Sequence, residues 1–157
     1  MLNLAIPSNS DSAALSMPKL CDDGSNWSDY KPHIHKALAA KGLWAHVEGK
    51  TTEPRPYQVI NGITVLLYGK TPATKDQIEA RETKVIDYDK RKYLAQHVIL
   101  STTSTQVGAM IKHLSSTHDM WEKVKADATT KSTLYLIDAQ DNAAEWLWWS
   151  CFGTWEF

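Results

Sequence analysis

The chain has 157 residues, 43% of them apolar and 22% charged, enough for one domain burying about 70% of its unfolded surface. Such a composition excludes wholesale disorder. Seventeen basic against eighteen acidic side chains, a net charge of −1, argue against a module built to coat nucleic acid, which would be basic throughout.

Residues 1–19 are rich in Ser, Asn, Asp and Pro and read as a mobile leader. The first firm element opens near Asn26 or Ser28, either of which has the side-chain oxygen that caps a helix. Tyr30, Ile34, Ala37 and Leu38 recur at helical spacing, Gly42 is a natural stop, and Pro32 is tolerable only close to the helix start. Leu43, Trp44 and Val47 continue the apolar surface. Residues 49–56 read as a loop. The segments flanking Asn61-Gly62, from Tyr57 to Tyr68, then carry a hairpin signal, because that dipeptide suits the positive φ values of a tight turn between β-branched residues. Two strands alone are marginal, so the hairpin is expected to lie on helices or stay partly loose.

Thr74 and Gln77 form a capping-box pattern that predicts a longer helix to about Leu100, with Ile78, Val85, Ile86, Tyr93 and His97 near one face. Val107, Met110, Ile111 and Leu114 mark a shorter helix, and Met120, Trp121, Val124 and Ala128 another, with Thr117 as the cap between them. Leu134 to Ile137 would begin one more. The expected product is mainly α: a small bundle of about five helices with one β-hairpin insertion. No solenoid repeat is present.

The C-terminal end reads differently. Of the seven tryptophans, Trp146, Trp148, Trp149 and Trp155 fall within the last twelve residues, beside both phenylalanines, Phe152 and Phe157. No Lys or Arg follows Lys131, whereas Asp138, Asp141, Glu145 and Glu156 do. Residues 1–131 therefore carry a net of +3 and the rest −4.

Patterns that carry chemistry are scarce. Gly69-Lys70-Thr71 lies between a strand and a helix, but the glycine that a phosphate-binding loop needs five residues earlier is Thr64. His33 and His35 are two apart on a helix and point away from each other. His113 and His118 have no Cys or carboxylate at zinc spacing. Cys21 and Cys151 fit neither a ligand set nor a disulfide framework. No nucleophile elbow occurs, and Asp22-Asp23 and Asp87/Asp89 read as solubilising acids. Lys84, Lys90, Arg91 and Lys92 form a basic stretch that would touch RNA phosphate, although Glu82, Asp87 and Asp89 among them suit a self-paired helix face. These residues predict no enzyme, no cofactor, no metal and no small-molecule substrate. No signal-peptide pattern and no apolar run of membrane-spanning length is present, so a cytoplasmic, membrane-free protein is expected.

One combination is more specific. Leu20-Cys-Asp-Asp-Gly-Ser-Asn-Trp-Ser-Asp-Tyr-Lys, followed by Ile34 and Ala37-Leu-Ala-Ala-Lys-Gly-Leu-Trp44, resembles the opening of copia-type retrotransposon Gag polypeptides. There the pattern is L-x-G-x-N-[YW]-x-x-W-K and then a helix ending in L-x-x-x-x-L-W. Gly24, Asn26, Trp27, Leu43 and Trp44 match it, and Tyr30 stands where tryptophan is common. Asp89 to Ser101, with Leu94, is similar to a second block of that family, and Thr117 to Val124, with Trp121, to a third.

The blocks cover about residues 18–138, and the hairpin looks like a fungal-type insertion. The resemblance implies a retroviral-capsid-like helical domain at residues 20–141, a homo-oligomer in particle assembly, and element RNA as a partner. Trp27, Trp44 and Trp121 would be core anchors. The family's usual continuation past Asp141 and its Cys-x2-Cys-x4-His-x4-Cys knuckle are not matched. Residues 142–157 are therefore expected to be an aberrant, exposed tail produced by a frameshift, mis-splicing or decay. A domesticated Gag-derived adaptor or RNA-associated module is the alternative.

Overall fold

The computed structural model describes residues 17–55, 57–65 and 71–152, with side chains described up to residue 143. Residues 1–16 of the leader, the second half of the hairpin's return strand, Gly69-Lys70 and the side chains of the C-terminal aromatic cluster lie outside the described residues.

Helix α1 spans Trp27–Ala40 and buries Trp27, Tyr30, Ile34 and Leu38 on one face, the stripe that the spacing implies. Asn26 occupies the cap position without capping. Its side chain turns back instead: Oδ1 accepts from the Cys21 amide at 2.9 Å and Nδ2 donates to the Lys19 carbonyl at 2.8 Å. Asn26 thus pins the incoming loop. Pro32 lies in the second turn of the helix. The hydrogen bond that it cannot donate is lost from an exposed face, where water satisfies the freed carbonyl. Gly42, with φ +67°, ends the element as expected, and α2 (Trp44–Val47) follows at once.

Strands β1 (Gln58–Ile60) and β2 (Ile63–Val65) pair antiparallel, with Ile60 opposite Ile63. Asn61 and Gly62 carry φ of 51° and 78°, which both central positions of a type I′ turn require. Val65 is buried and bridges to Pro72, the Ala73 amide donates to the Thr64 carbonyl, and Tyr57 Oη donates to the Gln77 carbonyl. Its base is thereby tied to the helix, while Val59, Ile60 and Ile63 remain exposed.

Helix α3 spans Lys75–Thr102, and its Thr74/Gln77 capping box is formed in both directions. Its buried face differs from the expected one. Ala95, Val98, Ile99 and Thr102 enter the core, whereas Ile86 (62% exposed), Tyr93 (60%) and the motif residue Leu94 (45%) face outward. The buried face thus lies on the C-terminal part of the helix, and the stripe of Ile86, Tyr93 and Leu94 is left exposed.

Helix α4 (Thr105–Ile111) is capped by the Ser104 hydroxyl. Helix α5 runs unbroken over Thr117–Phe152, where two helices had been expected. Between the two expected segments, the Thr130 and Thr133 hydroxyls donate to the Ala126 and Thr129 carbonyls and so stay within the helix. The cap also shifts by one residue. Ser116 Oγ accepts from the Asp119 amide, while Thr117 is buried with its hydroxyl unpartnered. Five helices around one core, with a single hairpin, make up the described fold.

Candidate functional site

Side chains from the first and third sequence blocks meet in the core. Trp27 and Trp121 lie with ring centroids 5.9 Å apart, and Trp44 meets Trp121 edge-on at 5.7 Å. Offset and edge-on contacts suit the ring quadrupoles, and they fasten α1, α2 and α5 together. Leu43 and Val124 are buried beside them. Tyr30 Oη lies 2.9 Å from Thr102 Oγ1 on α3. The single Thr102 hydroxyl hydrogen is directed at the Val98 carbonyl, 2.7 Å away, so Tyr30 donates and Thr102 accepts. Burial pushes the Tyr30 phenol up to about 12.

Gly24 completes this arrangement. At φ +69°, an added Cβ would stand 3.0 Å from the Ala128 carbonyl oxygen and 3.0 Å from Lys131 Cβ. The loop before α1 therefore lies directly on α5, and only glycine meets both requirements.

The basic stretch does not form one patch. Lys84 and Arg91, seven residues apart and so on one helical face, line a cleft of about 350 Å³ together with His46, Thr51, Asp87 and Tyr88. Lys92 is half-buried, with its ammonium 5.8 Å from the Tyr93 ring centroid. Lys90 is exposed within the outward stripe of Ile86, Tyr93 and Leu94. In the cleft, burial, then Arg91 and Lys92, hold the His46 imidazole below its ordinary value. Its Nδ1 lies 3.1 Å from Thr51 Oγ1. Its ring has no hydrogen-bonded carboxylate among the described residues, the partner that general-base chemistry uses to orient an imidazole.

The other histidines have structural partners. His33 Nδ1 donates to the Asp29 carbonyl, His118 Nδ1 donates to the Val47 carbonyl, and His35 packs edge-on against Trp44. Among the described residues no three His, Cys, Asp or Glu side chains gather where one ion could be held.

Among the described residues, the distal part of α5 is also unpartnered. Packing against the bundle ends at Ser132, and every residue from 133 to 143 is exposed, including Leu134 (56%), Tyr135 (47%), Leu136 (59%) and Ile137 (48%). The helix also crosses the expected boundary at 141/142 without a break. Four consecutive apolar residues point in four directions around a helix, so this segment is apolar on more than one side. Neither the periodicity of the core blocks nor the family pattern marks it. The signal available in sequence was the change in charge after Lys131. Among the described residues, no helix is long and apolar enough to cross a membrane.

No family model matches this chain, and neither a curated protein nor a solved structure is significantly similar to it.

Proposed function

We propose that this chain is a structural, capsid-like module of a copia-type retrotransposon Gag polypeptide, working by self-association in the cytoplasm rather than by catalysis. The observation that carries this reading is the convergence of its motif blocks. Trp27 and Trp44 from the first and Trp121 from the third meet ring to ring, and the second contributes Ala95, Val98 and Ile99 to the same core. A motif devoted to packing is what an assembly module needs, because many copies joined by weak contacts must present one rigid shape. Exposed apolar side chains on α3, the hairpin and α5 supply contact surface. The scattered basic residues of α3 support at most a minor, salt-sensitive role with element RNA.

Sedimentation velocity over a concentration series of the full chain tests the reading. Reversible growth beyond the monomer is expected, with regular particles or arrays visible by negative-stain microscopy at the highest concentrations. A monomer throughout the series would overturn the proposal.

A further inference from the structure

We propose that the cleft between α3 and the segment from His46 to Thr52 is a binding site for a small phosphate monoester, held by Lys84 and Arg91. It stands apart from the self-association reading and uses none of the exposed apolar surface. The cleft, of about 350 Å³, is lined by His46, Thr51 and Thr52 from one side of the chain and by Lys84, Asp87 and Arg91 from α3.

Its back wall is fixed. His46 is only 6% exposed, its ring centroid lies 5.0 Å from that of Tyr88, and its Nδ1 lies 3.1 Å from Thr51 Oγ1. The loop that carries the threonines is held as well. At Gly49, with φ +69°, an added Cβ would stand 3.3 Å from His118 Cγ on α5. The next amide, that of Lys50, donates to the Ala45 carbonyl at 2.9 Å.

The two cations in front of this wall are left open. Asp87 stands three residues after Lys84 and four before Arg91, the spacings at which ion pairs form along a helix. Glu122 with Lys125 and Asp127 with Lys131 do pair at those spacings on α5. Among the described residues, Asp87 pairs with neither cation, and no other carboxylate does. Asp87 therefore weakens the attraction of the cleft for an anion without cancelling it.

The charge and shape of the ligand follow from these groups. Lys84 and Arg91 are seven residues apart, about 10 Å along the helix, and two long side chains can close that gap around one anion. A monoester carries a charge of about −1.5 to −2 and three terminal oxygens. Arg91 takes two oxygens with its planar fork, and Lys84 supplies a point charge. The threonine hydroxyls are donors for the third. A carboxylate or a phosphodiester, with a single charge, leaves one of the two cations unanswered.

Isothermal titration of the full chain with ribose 5-phosphate and with inorganic phosphate tests the site. Saturable one-to-one binding is expected. Lys84→Gln and Arg91→Gln alter exposed positions, and circular dichroism confirms that each is folded before use. Each is expected to weaken binding about fivefold, and Asp87→Asn to strengthen it about threefold. Lys90→Gln removes the same charge from the outward stripe and is expected to change affinity less than twofold. In imidazole NMR spectra the His46 signals should shift with the calorimetric midpoint.

Absence of saturable binding by either probe would overturn the proposal. So would equal losses from Lys90→Gln and Lys84→Gln, which would assign the binding to overall charge, or a His46 signal that stays fixed while phosphate binds. A single-stranded oligouridylate bound at least tenfold more tightly than ribose 5-phosphate, and released by the Lys84 and Arg91 substitutions, would also overturn it by giving the cleft to RNA.

Discussion

Tyr30 shows how much one side chain can hold. It is fully buried, stacks near Trp27, and donates across the core to Thr102 on α3. Thr102 keeps its own bond to the Val98 carbonyl, so Tyr30→Phe strands no buried donor and is expected to cost about 1 kcal/mol at neutral pH. Its pH dependence has a definite sign. Below pH 10 the phenol is protonated whether the chain is folded or not, and titration contributes nothing to stability. Between the ordinary value of 10.0 and the folded value of about 12, the unfolded chain releases its proton first, so stability falls as pH rises. The loss approaches on the order of 2 kcal/mol at the upper limit. Urea unfolding of wild type and Tyr30→Phe from pH 8 to 11.5 should therefore show wild type ahead at pH 8 and the difference closing, then reversing. A constant difference would place Tyr30 in a wetter site.

At the scale of elements, the start of α5 illustrates why composition alone misplaces a cap. Ser116 and Thr117 are both acceptable caps by residue type, and only burial separates them. Ser116 caps from the surface, whereas the Thr117 hydroxyl is enclosed without a partner. Ser116→Ala is expected to lower stability by about 1 kcal/mol, and Thr117→Val, which removes an unpaired buried hydroxyl while keeping its shape, to raise it by about 1 kcal/mol. Thermal unfolding of the two variants checks this, and equal losses from both would return the cap to Thr117.

The same contrast explains what could be read from sequence. The Thr74/Gln77 box and the Asn61-Gly62 turn were legible because their partners lie within three residues. The inward face of α3 was not. Ile86, Tyr93 and Leu94 sit outside while Val98 and Ile99 sit inside, and the buried Ala95 has almost no sequence signature. The separate helix expected from Leu134 is continuous with the one before it, and the threonines between them return their hydroxyls to the helix's own carbonyls. For the candidate site, the core role of the three tryptophans was what the resemblance of the motif blocks implied. The projecting apolar segment was not legible, because nothing local distinguishes an unpartnered helix from a packed one.

Across the whole molecule, α5 serves two separable purposes. Up to Ser132 it is a wall of the core, with Met120, Trp121, Val124 and Ala128 buried and Gly24 fitted against Ala128 and Lys131. Beyond that point it makes no burying contact in the described residues, and its helicity propagates outward from the packed half at little nucleation cost. The two halves should then respond differently to one perturbation. Gln140→Pro removes the bond from residue 140 to the Leu136 carbonyl and sets its ring against the preceding turn, a local cost of about 3 kcal/mol. In a dilute, monomeric sample the far-UV signal should fall as the helix beyond that point is lost, while the calorimetric midpoint of the core stays within about 2 °C of wild type. A midpoint lowered by more than about 5 °C would mean that the distal half packs on its own bundle. An unchanged core with lost self-association would instead assign the projecting helix to contacts between molecules, which is the division of labour that its burial pattern implies.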